Sequence, residues 1–566
     1  MPAPAAGARA NGEIPRDHAG RGKCHSRPND PLSPGVEGTR RLGGRDRAGT
    51  GIARLAAHFF TQPPITLFFF CCLPFCDRLR RVKPRNLLAT PLKSRKARNY
   101  NAAKRQGGAA MDIKAIVKQQ RAYFDTGETL SVDMRIDALC RLRSEIKRSE
   151  RRIIDALAFD LGKSSQESYM CEIGLVLSEL RHHIAHIREW AAPKRVRTDV
   201  GNFPARSFTI AEPYGVVLVM APWNYPFMLC MEPLIGAIAA GNCCVVKPSA
   251  YAPATSRVMA EIVEATFDPS YVTAIEGGRA ANEALLDQRF DYIFFTGSPA
   301  VGKLVMRKAA ENLTPVSLEL GGKSPCIVAA DANLALAARR IAFGKFLNCG
   351  QTCVAPDYVL VERDVHDEFV ALLGGYTAKM YGSDALLNRN YGRIVNRKHF
   401  DRILSLIEPA KTVYGGTHCV EDLRIEPTIM DYVDAEDAVM SEEIFGPVLP
   451  VLVVENMAEA EAFVKARPKP LALYLFTEDR ALQDRIVRNV SFGGGCINDT
   501  VMHLATSNMG FGGVGESGMG SYHGKDSFDT FSHRKSILRK CSGIDVPLRY
   551  QPYSRLKEHI IRSVLR

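Results

Sequence analysis

The spacing of apolar residues changes near residue 214 of the chain. Between 113 and 192, apolar residues recur every three or four positions, as at Ile136, Leu139 and Ile146, and charged residues occupy the other faces. That period predicts amphipathic α-helices. After residue 214, short continuous apolar runs alternate with helical stretches, which is typical of buried parallel strands. The predicted strands are "GVVLVMA" (215–221), "CCVVK" (243–247), "YVTAI" (271–275) and "YIFFTG" (292–297).

Alternating strands and helices predict a doubly wound α/β sheet, which binds ligands, most often a dinucleotide, at the carboxyl ends of its strands. A literal G-x-G-x-x-G occurs in "GFGGVG" (510–515), but no predicted strand, turn and helix surround it, so we interpret it as a glycine-rich loop. A better phosphate site is "FFTGSPAVGKLVMRKAA" (294–310). There a strand ends at Thr296, and Gly297 and Ser298 open a helix whose N–H groups can receive a pyrophosphate.

The formal net charge of +13 is concentrated in a basic head, residues 1–110. The head holds 21 of the 74 Lys and Arg residues and 6 of the 61 Asp and Glu residues, which leaves 53 against 55 for 111–566. A nucleic-acid partner is therefore not predicted. The apolar run "ITLFFFCCLPF" (65–75) is too short to span a bilayer. We expect the head to be disordered or to precede a natural start at Met111; its acids and length argue against a targeting presequence.

Fifteen cysteines, four of them in the head, leave an odd number, eleven, after Met111. Without a convincing signal peptide, this count is typical of a reduced, cytoplasmic protein. The segment "NCGQTCVAPDY" (348–358) places Cys349 and Cys353 four residues apart, without the CxxC or histidine spacing of a metal site. Gly350 predicts a bent loop here. The pattern alone leaves either cysteine open as a nucleophile.

Six segments, taken in order, resemble the aldehyde dehydrogenase superfamily. The segment 493–537, which ends "GMGSYHGKDSFDTFSHRKSI", resembles its class 3 branch, with the fatty, dimeric and bacterial coniferyl aldehyde dehydrogenases. The resemblance covers about 430 residues, from Met111 to Arg539, and six motifs in one order are more specific than any single motif. The six are "APWNYP" (221–226), "KPSAYAP" (247–253), "FTGSPAVG" (295–302), "LELGGKSP" (318–325), "NCGQTCVAPDY" (348–358) and "EEIFGPVLP" (442–450).

The resemblance implies an aldehyde dehydrogenase-like α/β fold with several parts and a homodimeric assembly. The C-terminal tail has no apolar run long enough for a membrane anchor, so no membrane span is expected. The implied parts are a dinucleotide-binding domain (111–321) with an inserted β arm (about 195–213), a catalytic domain (322–505), an oligomerisation segment (506–540) and a tail (541–566).

The resemblance also implies that Cys353 is the nucleophile, Asn224 an oxyanion donor and Glu319 the general base. A thiolate adds readily to a carbonyl carbon, an N–H donor stabilises the resulting oxyanion, and a carboxylate can activate the water that cleaves a thioester. The class 3 branch leaves room for Glu443 to share the role of base. The alternatives are a buried inert thiol, which fits Cys349 better, an asparagine that caps a turn, and a surface carboxylate.

The implied cofactor is NAD, NADP or both. Lys247 matches a lysine that contacts the adenosine ribose, and at Ala250 the family often carries a glutamate that binds both ribose hydroxyls. Because such a carboxylate repels a 2′-phosphate, its absence removes the main obstacle to the binding of NADP. We therefore expect both cofactors to be used, and no metal. The implied cofactor residues are Trp223, Lys247, Ser249, Gly297, Ser298, Gly302, Leu320, Gly321, Glu443 and Phe445.

The expected function is oxidation of an apolar aldehyde, aromatic such as coniferyl aldehyde or medium- to long-chain aliphatic, to its carboxylic acid. A CoA-acylating semialdehyde dehydrogenase shares the fold and the cysteine but typically lacks the water-activating glutamate, so Glu319 disfavours it. A non-catalytic scaffold of the same fold is expected to lose Cys353, Asn224 or Glu319, and all three are present.

Overall fold

The computed structural model describes residues 112–565, which belong to one folded unit. The expectation for the basic head lies outside the described residues. The helices predicted for 113–192 are confirmed, and Ser131 caps the second of them by accepting the Met134 N–H. They are α1 (Ile113–Phe124), α2 (Val132–Arg148), α3 (Glu150–Leu161), α4 (Ser165–Ser168) and, after a π turn at Tyr169–Ile173, α5 (Gly174–Ala191).

The later helices pack against the sheets or follow their strands. They are α6 (Met228–Ala240), α7 (Pro253–Thr266), α8 (Arg279–Leu286), α9 (Pro299–Ala310), α10 (Leu334–Phe346), α11 (His366–Tyr381), α12 (Arg397–Leu404), α13 (Ala438–Ser441), α14 (Met457–Lys465), α15 (Arg480–Asn489), α16 (Gly524–Thr530) and α17 (Arg555–Val564).

The first large sheet contains all four predicted strands, which are confirmed. Its six strands are β3 (Val216–Met220), β4 (Cys243–Lys247), β5 (Val272–Ala274), β6 (Tyr292–Thr296), β7 (Val316–Glu319) and β17 (Gly518–Met519). Their order is β17-β7-β6-β3-β4-β5, and every pair is parallel except β17 with β7. The chain winds outwards in both directions from the β3–β6 pair. Ligands of doubly wound sheets bind beyond the carboxyl ends of such a pair.

The second large sheet follows in the chain and has the order β10-β13-β14-β9-β8-β15-β16, parallel except for β10. The strands, with a separate two-stranded ribbon β11–β12, are β8 (Pro325–Val328), β9 (Tyr358–Glu362), β10 (Thr412–Tyr414), β11 (His418–Cys419), β12 (Arg424–Ile425), β13 (Thr428–Met430), β14 (Val448–Val454), β15 (Ala472–Phe476) and β16 (Gly494–Ile497).

A three-stranded antiparallel sheet is formed by β1 (Lys194–Val196), β2 (Ala205–Pro213) and β18 (Ser532–Lys540), with β2 in the middle. The pairing of β2 with β18 runs without a break from Ser532↔Pro213 to Lys540↔Ala205. The outer edges of β1 and β18 carry no further strand among the described residues, and unpaired edges of this kind invite pairing with another chain.

Helix α6 is buried on every face. Its sequence, "MLCMEPLIGAIAA", is apolar all round except for Glu232, and a helix of that composition is stable only inside a core. α6 packs against α2, α5 and α16 and beside β3 and β4. Its N-terminus therefore lies at the carboxyl end of β3, where it receives the loop that carries Trp223 and Asn224.

Candidate active site

The loop that carries Cys353 is bent by three consecutive left-handed residues. After α10, Asn348, Cys349 and Gly350 have φ of 52°, 53° and 69°. At Gly350 a Cβ would also collide with the backbone of Gly446. Only glycine meets both conditions at low cost. The bend predicted from this glycine is confirmed, and it brings Cys353 to the carboxyl end of β3.

Two cavities meet at Cys353. A wide cavity of about 660 Å³ extends from its side chain towards Gly297 and Glu443, and a narrow cavity of about 140 Å³ extends towards Met170 and Phe343. Cys349 lines neither cavity, is 2% exposed, and faces Gly392, where a Cβ would stand 3.3 Å from its Sγ. Burial raises the pKa of both thiols above the usual range. Only one of the two cysteines is therefore accessible to a substrate.

Asn224 is buried beside the Cys353 loop. Its Nδ2 donates to the Gln351 carbonyl at 3.1 Å, and Gln351 O is the single acceptor for this nitrogen among residues 112–565. Since an amide nitrogen has two N–H groups, the second remains available at the wide cavity, which Asn224 lines. Tyr225 ties the same two loops together through a 2.7 Å hydrogen bond between its hydroxyl and the Thr352 hydroxyl.

A buried ion pair fixes the backbone of this loop. Lys163 Nζ donates to Glu172 Oε1 at 2.5 Å and to the Asn224 carbonyl at 2.9 Å. Glu172 Oε2 accepts the N–H groups of Phe227 and Met228, at 2.8 and 3.1 Å. Sequence reasoning missed both charges, because Lys163 and Asn224 are separated by 61 residues and nothing local to either predicts the contact.

Glu319 stands at the carboxyl end of β7 and lines the wide cavity with Cys353. It is 3% exposed, and neither carboxylate oxygen has a hydrogen-bond partner among the described residues. Burial raises the pKa of Glu319 well above 4.5. The "GFGGVG" loop packs here, since a Cβ at Gly512 would stand 3.1 Å from Glu319 Oε1. In this segment only Phe511, in an isolated bridge, and Gly515, at the start of a short 3-10 helix, have regular structure, so its interpretation as a loop is confirmed.

Glu443 lines the same cavity from the loop between α13 and β14. Its carboxylate covers Gly321, where a Cβ would collide with it. Burial first, and then the nearby Asp357 carboxylate, raise the pKa of Glu443 to about 8, although the Gly322 N–H and Lys323 favour its charged form. A carboxyl group with this pKa can gain or lose a proton near neutral pH.

Asp357 and Lys323 hold the segment that presents Glu443. Asp357 Oδ1 accepts the Ile444 N–H at 3.1 Å, and Lys323 Nζ donates to Asp357 Oδ2 at 2.6 Å. Lys323 Nζ also donates to the carbonyls of Val439 and Glu442, each at 2.9 Å. Lys323 and Asp357 each lie inside one of the six family motifs, but nothing in the sequence predicted that their side chains would contact each other.

Eight of the ten expected cofactor residues lie at or beside the wide cavity. Gly297 follows β6, and Ser298 precedes Pro299, the first residue of α9. Gly302 packs α9 onto Leu320, whose side chain a Cβ at 302 would strike. The cavity itself is lined by Trp223, Gly297, Ser298, Leu320, Gly321, Glu443 and Phe445.

Lys247 ends β4, the neighbour of β3, and Ser249 lies two residues further on; neither lines the wide cavity. Lys247 Nζ donates to the Pro248 carbonyl at 2.7 Å, and burial lowers the pKa of Lys247 to about 8. Ala250, in the turn that follows, is exposed. Lys247, Ser249 and Ala250 thus lie at the carboxyl end of β4. The cavity lies along the same edge of the first large sheet, beyond the carboxyl ends of the neighbouring strands.

The wide cavity suits a dinucleotide. Two buried oxygens, Thr296 Oγ1 and Glu443 Oε1, have no hydrogen-bond partner within residues 112–565. Gly297 contributes no side chain to the cavity wall, and the N-terminus of α9 lies beside it. Free N–H groups at a helix N-terminus are a natural phosphate site. In the part of the chain that the structure describes, no three His, Cys, Asp or Glu side chains converge on a metal site.

The residues that line the narrow cavity could not be predicted from the sequence. In the structure, apolar side chains form nearly all of its wall. Three methionines contribute, and methionine side chains adapt to ligands of different shape. Phe511 and Tyr522 line both cavities, as Cys353 does. The other apolar contributors include Met170, Leu175, Met228, Phe343, Val501 and Met502.

Comparisons with known proteins agree with this geometry. The profile of the aldehyde dehydrogenase family matches residues 93–537. The 4,4'-diaponeurosporen-aldehyde dehydrogenase of Staphylococcus aureus is 48% identical over 436 residues, 76% of this chain and 95% of the relative. The dimeric NADP-preferring aldehyde dehydrogenase of Canis lupus familiaris is 44% identical over 426 residues, 75% of this chain and 94% of the relative.

A solved structure is similar over the same region. The substrate-bound state of Staphylococcus aureus AldH superimposes with a TM-score of 0.79 at 45% identity and covers 81% of this chain and 100% of its own. The chain therefore belongs to the aldehyde dehydrogenase family, and the expected fold is confirmed. Its class of reaction is the oxidation of an aldehyde with NAD or NADP.

Proposed function

We propose that the protein oxidises an apolar aldehyde, aromatic such as coniferyl aldehyde or medium- to long-chain aliphatic, to the carboxylic acid through covalent intermediates on Cys353. One observation carries the proposal. The Cys353 thiol lines both a wide cavity that suits a dinucleotide and a narrow cavity with apolar walls. An aldehyde in the narrow cavity and a cofactor in the wide one would both reach this thiol.

The first step is formation of a thiolate. Burial first, and then the carboxylates of Glu443 and Glu319, raise the pKa of Cys353 to about 12, so the thiol is protonated at neutral pH. A base must take this proton. Glu443, with a pKa raised to about 8, can accept it and release it again during the cycle.

The thiolate then adds to the carbonyl carbon and forms a thiohemiacetal. Its oxyanion receives the free N–H of Asn224 and the backbone N–H of Cys353. Donors of this kind act only if they are already in place. The bond that Asn224 accepts from Lys163 and the bond that it donates to the Gln351 carbonyl hold it before substrate arrives.

The residues that would hold the cofactor lie around the wide cavity and beyond it. Trp223 and Phe445 would border the nicotinamide, with ring centroids 5.3 Å apart, and Ser298 and Gly297 would meet the pyrophosphate at the N-terminus of α9. Lys247 would meet the adenosine ribose. When bound, NAD or NADP supplies the acceptor for the hydride that leaves the substrate carbon.

The acyl group that remains on Cys353 is a thioester, which water must cleave. We assign the activation of this water to Glu319, because its unpartnered carboxylate lines the cavity beside Cys353. In its carboxylate form Glu319 can take a proton from water, and the low polarity around it makes it a stronger base than an exposed glutamate. Glu443 is the second candidate for this step.

The size of the narrow cavity favours an extended or planar apolar group. Each methylene group buried there adds about 0.8 kcal/mol of favourable transfer free energy. The full-length protein should therefore be assayed with acetaldehyde, octanal, decanal, benzaldehyde and coniferyl aldehyde, with NAD and with NADP. We expect kcat/KM to be at least about tenfold higher for octanal or coniferyl aldehyde than for acetaldehyde. A preference for small polar aldehydes would contradict the proposal.

The same assay separates hydrolysis from transfer to CoA. The proposed enzyme forms the free acid in the absence of CoA, and added CoA leaves the rate unchanged. A CoA-acylating dehydrogenase would instead form an acyl-CoA and would need the thiol for turnover. The unpartnered carboxylate of Glu319 beside Cys353 supports the hydrolytic outcome.

We further propose a homodimer in the cytoplasm. The unpaired outer edge of β18 supports the dimer, as does the dimeric relative from the dog. Eleven free cysteines among the described residues support a reducing compartment. Within residues 112–565 no helix has the length and apolar character needed to cross a membrane. Light scattering should give twice the chain mass, and a monomeric mass would exclude the dimer.

A further inference from the structure

The turn at His523 has a backbone conformation that is rare for any residue with a side chain. His523 has φ 84° and ψ 134°, and Gly524 follows with φ 51°. Surrounding groups hold this turn in place. The His523 N–H donates to Ser527 Oγ at 2.8 Å, and the Gly524 N–H donates to Glu179 Oε1 at 2.5 Å. Strained backbone of this kind persists only where neighbouring contacts fix it, and it often occurs near functional sites.

The imidazole of His523 is buried against a carboxylate of α6. Its Nε2 lies 3.2 Å from Glu232 Oε2, and the two side chains are 5% and 6% exposed. Glu232 is the one charged residue in the otherwise apolar α6. A buried carboxylate is costly unless a cation or a proton neutralises it. The pair therefore links the middle of a core helix to the strained turn.

The ring of His523 belongs to an aromatic wall, which we define as Phe511, Tyr522 and His523. The imidazole stacks on Phe511, with centroids 5.6 Å apart and planes 19° apart, and its centroid is 4.2 Å from that of Tyr522. Two backbone hydrogen bonds, of 2.8 and 2.9 Å, join Phe511 to Tyr522. All three residues line the narrow cavity. The wall thus forms one side of the space next to Cys353.

We propose that Glu232 and His523 are positioning residues: their buried ion pair fixes the aromatic wall and so determines how tightly the enzyme binds aldehydes long or bulky enough to touch it. The inference rests on the proposed function, because it concerns the cavity assigned there to substrate. Neither residue touches the reacting atoms. Loss of the pair should therefore raise KM for large apolar aldehydes and leave the chemical steps largely unchanged.

The pair should also make this binding sensitive to pH. Burial alone would lower the pKa of His523, but the carboxylates of Glu232, Glu179 and Asp526 outweigh it and raise the pKa above 6.5. Other ionisable groups near the pair include Glu172 and Tyr522, which interact with Glu232, and His503, which interacts with His523. Because the folded pKa of His523 is raised, the imidazolium is present below pH 6.5 and is lost as pH rises through the raised value. KM for a large aldehyde should increase over that same interval.

The test compares two substrates in four variants of the full-length protein. The variants are His523→Asn, Glu232→Gln, the double variant, and His182→Asn as a control. Asparagine is chosen at 523 because it tolerates positive φ better than most residues. His182 lines a neighbouring polar cavity but not the narrow one. The substrates are octanal, whose alkyl chain we expect to contact the aromatic wall, and acetaldehyde, which has no such chain.

In each single variant we expect KM for octanal to rise about tenfold, with kcat for both substrates and KM for acetaldehyde within about twofold of wild type. The double variant should regain part of the octanal affinity, since two neutral amides can hydrogen-bond, and its KM should no longer change with pH. The His182→Asn control should match wild type.

Equal losses for octanal and acetaldehyde, or a fall in melting temperature without a selective change in octanal KM, would overturn the inference and leave a purely structural pair. Wild-type kinetics in both single variants would overturn it as well. In either case a preference of the wild-type enzyme for octanal over acetaldehyde would leave the proposed function standing. If wild type oxidised no apolar aldehyde, the proposed function itself would fail.

Discussion

The two cavities that meet at Cys353 differ in size and in chemistry. The wide cavity, of about 660 Å³, is bordered by ionisable side chains, among them Glu319, Glu443, Lys323 and Arg402. The narrow cavity, of about 140 Å³, is apolar over nearly all of its wall. The carboxyl groups that can move protons therefore stand on the wide side of the thiol, and the narrow side is walled mainly by apolar groups that bind substrate.

This difference separates two kinds of mutational effect. Changes at the thiol or on the wide side should lower the rate of a chemical step or alter cofactor use. Changes on the narrow side should alter KM for the aldehyde and leave kcat nearly unchanged.

The largest effect is expected at the shared thiol. Cys353→Ala should abolish aldehyde oxidation, because the nucleophile is removed, while NAD binding, measured by calorimetry, is retained. The matched variant is Cys349→Ala, which should keep most of the activity because that thiol lines neither cavity. Equal loss of activity in both variants would mean that the roles in this loop are wrongly assigned.

Removal of the oxyanion donor should have the next largest effect. Asn224→Ala should lower kcat by about 10²–10³-fold, since one preorganised donor is lost. Asn456→Ala is a suitable control, because that side chain caps α14 and its loss should cost about 1 kcal/mol of stability without slowing turnover. Both variants require steady-state kinetics and thermal unfolding. An Asn224→Ala enzyme with wild-type kcat would remove this residue from the mechanism.

The pH dependence of the first turnover tests Glu443. Its pKa is raised to about 8, so the carboxylate that accepts the Cys353 proton predominates only above that pH. The burst rate at pH 7 should be about tenfold below its plateau at high pH, because one pH unit changes the ionised fraction about tenfold. Glu443→Gln should lose this rise. A burst rate that is independent of pH in wild type would assign the proton to another base.

Cofactor breadth should show the smallest effect. With Ala250 exposed and no carboxylate at that position, kcat/KM for NADP should lie within about tenfold of that for NAD, or about 1.4 kcal/mol. Ala250→Glu should lower the use of NADP and spare NAD. Ala310→Glu, which adds the same charge at the exposed end of α9, should change neither. Strict NAD dependence of wild type would show that the ribose is recognised elsewhere.

The sequence predicted some parts of this molecule better than others, for physical reasons. Strands β3 to β6 were predictable because a parallel strand buried on both faces is a continuous apolar run. The edge strands β1 and β11 contain three and two residues, too few for a period to appear. The fold as a whole was identified from the order of its motifs.

In the candidate site, too, some residues could be predicted from the sequence and others could not. Residues inside a motif, such as Cys353 and Glu319, were found in the sequence, and the structure places them at one cavity. The contacts that support them were not found. Lys163 reaches Asn224 across 61 residues of chain, and Asp357 reaches Ile444 across 87. Glu232 could have been noticed in the sequence as a charged residue inside an apolar helix. Its partner, His523, could not be predicted, because it lies far away along the chain.

The central claim is that the acyl group of the substrate is bound covalently to Cys353, where the two cavities meet. The most direct test is peptide mass spectrometry of the Glu319→Gln enzyme after one turnover with octanal and NAD. With the water-activating carboxylate removed, the thioester should persist. We predict a burst of about one NADH per site and an octanoyl group on Cys353. An octanoyl group on Cys349, or a burst without any acylated cysteine, would contradict the account.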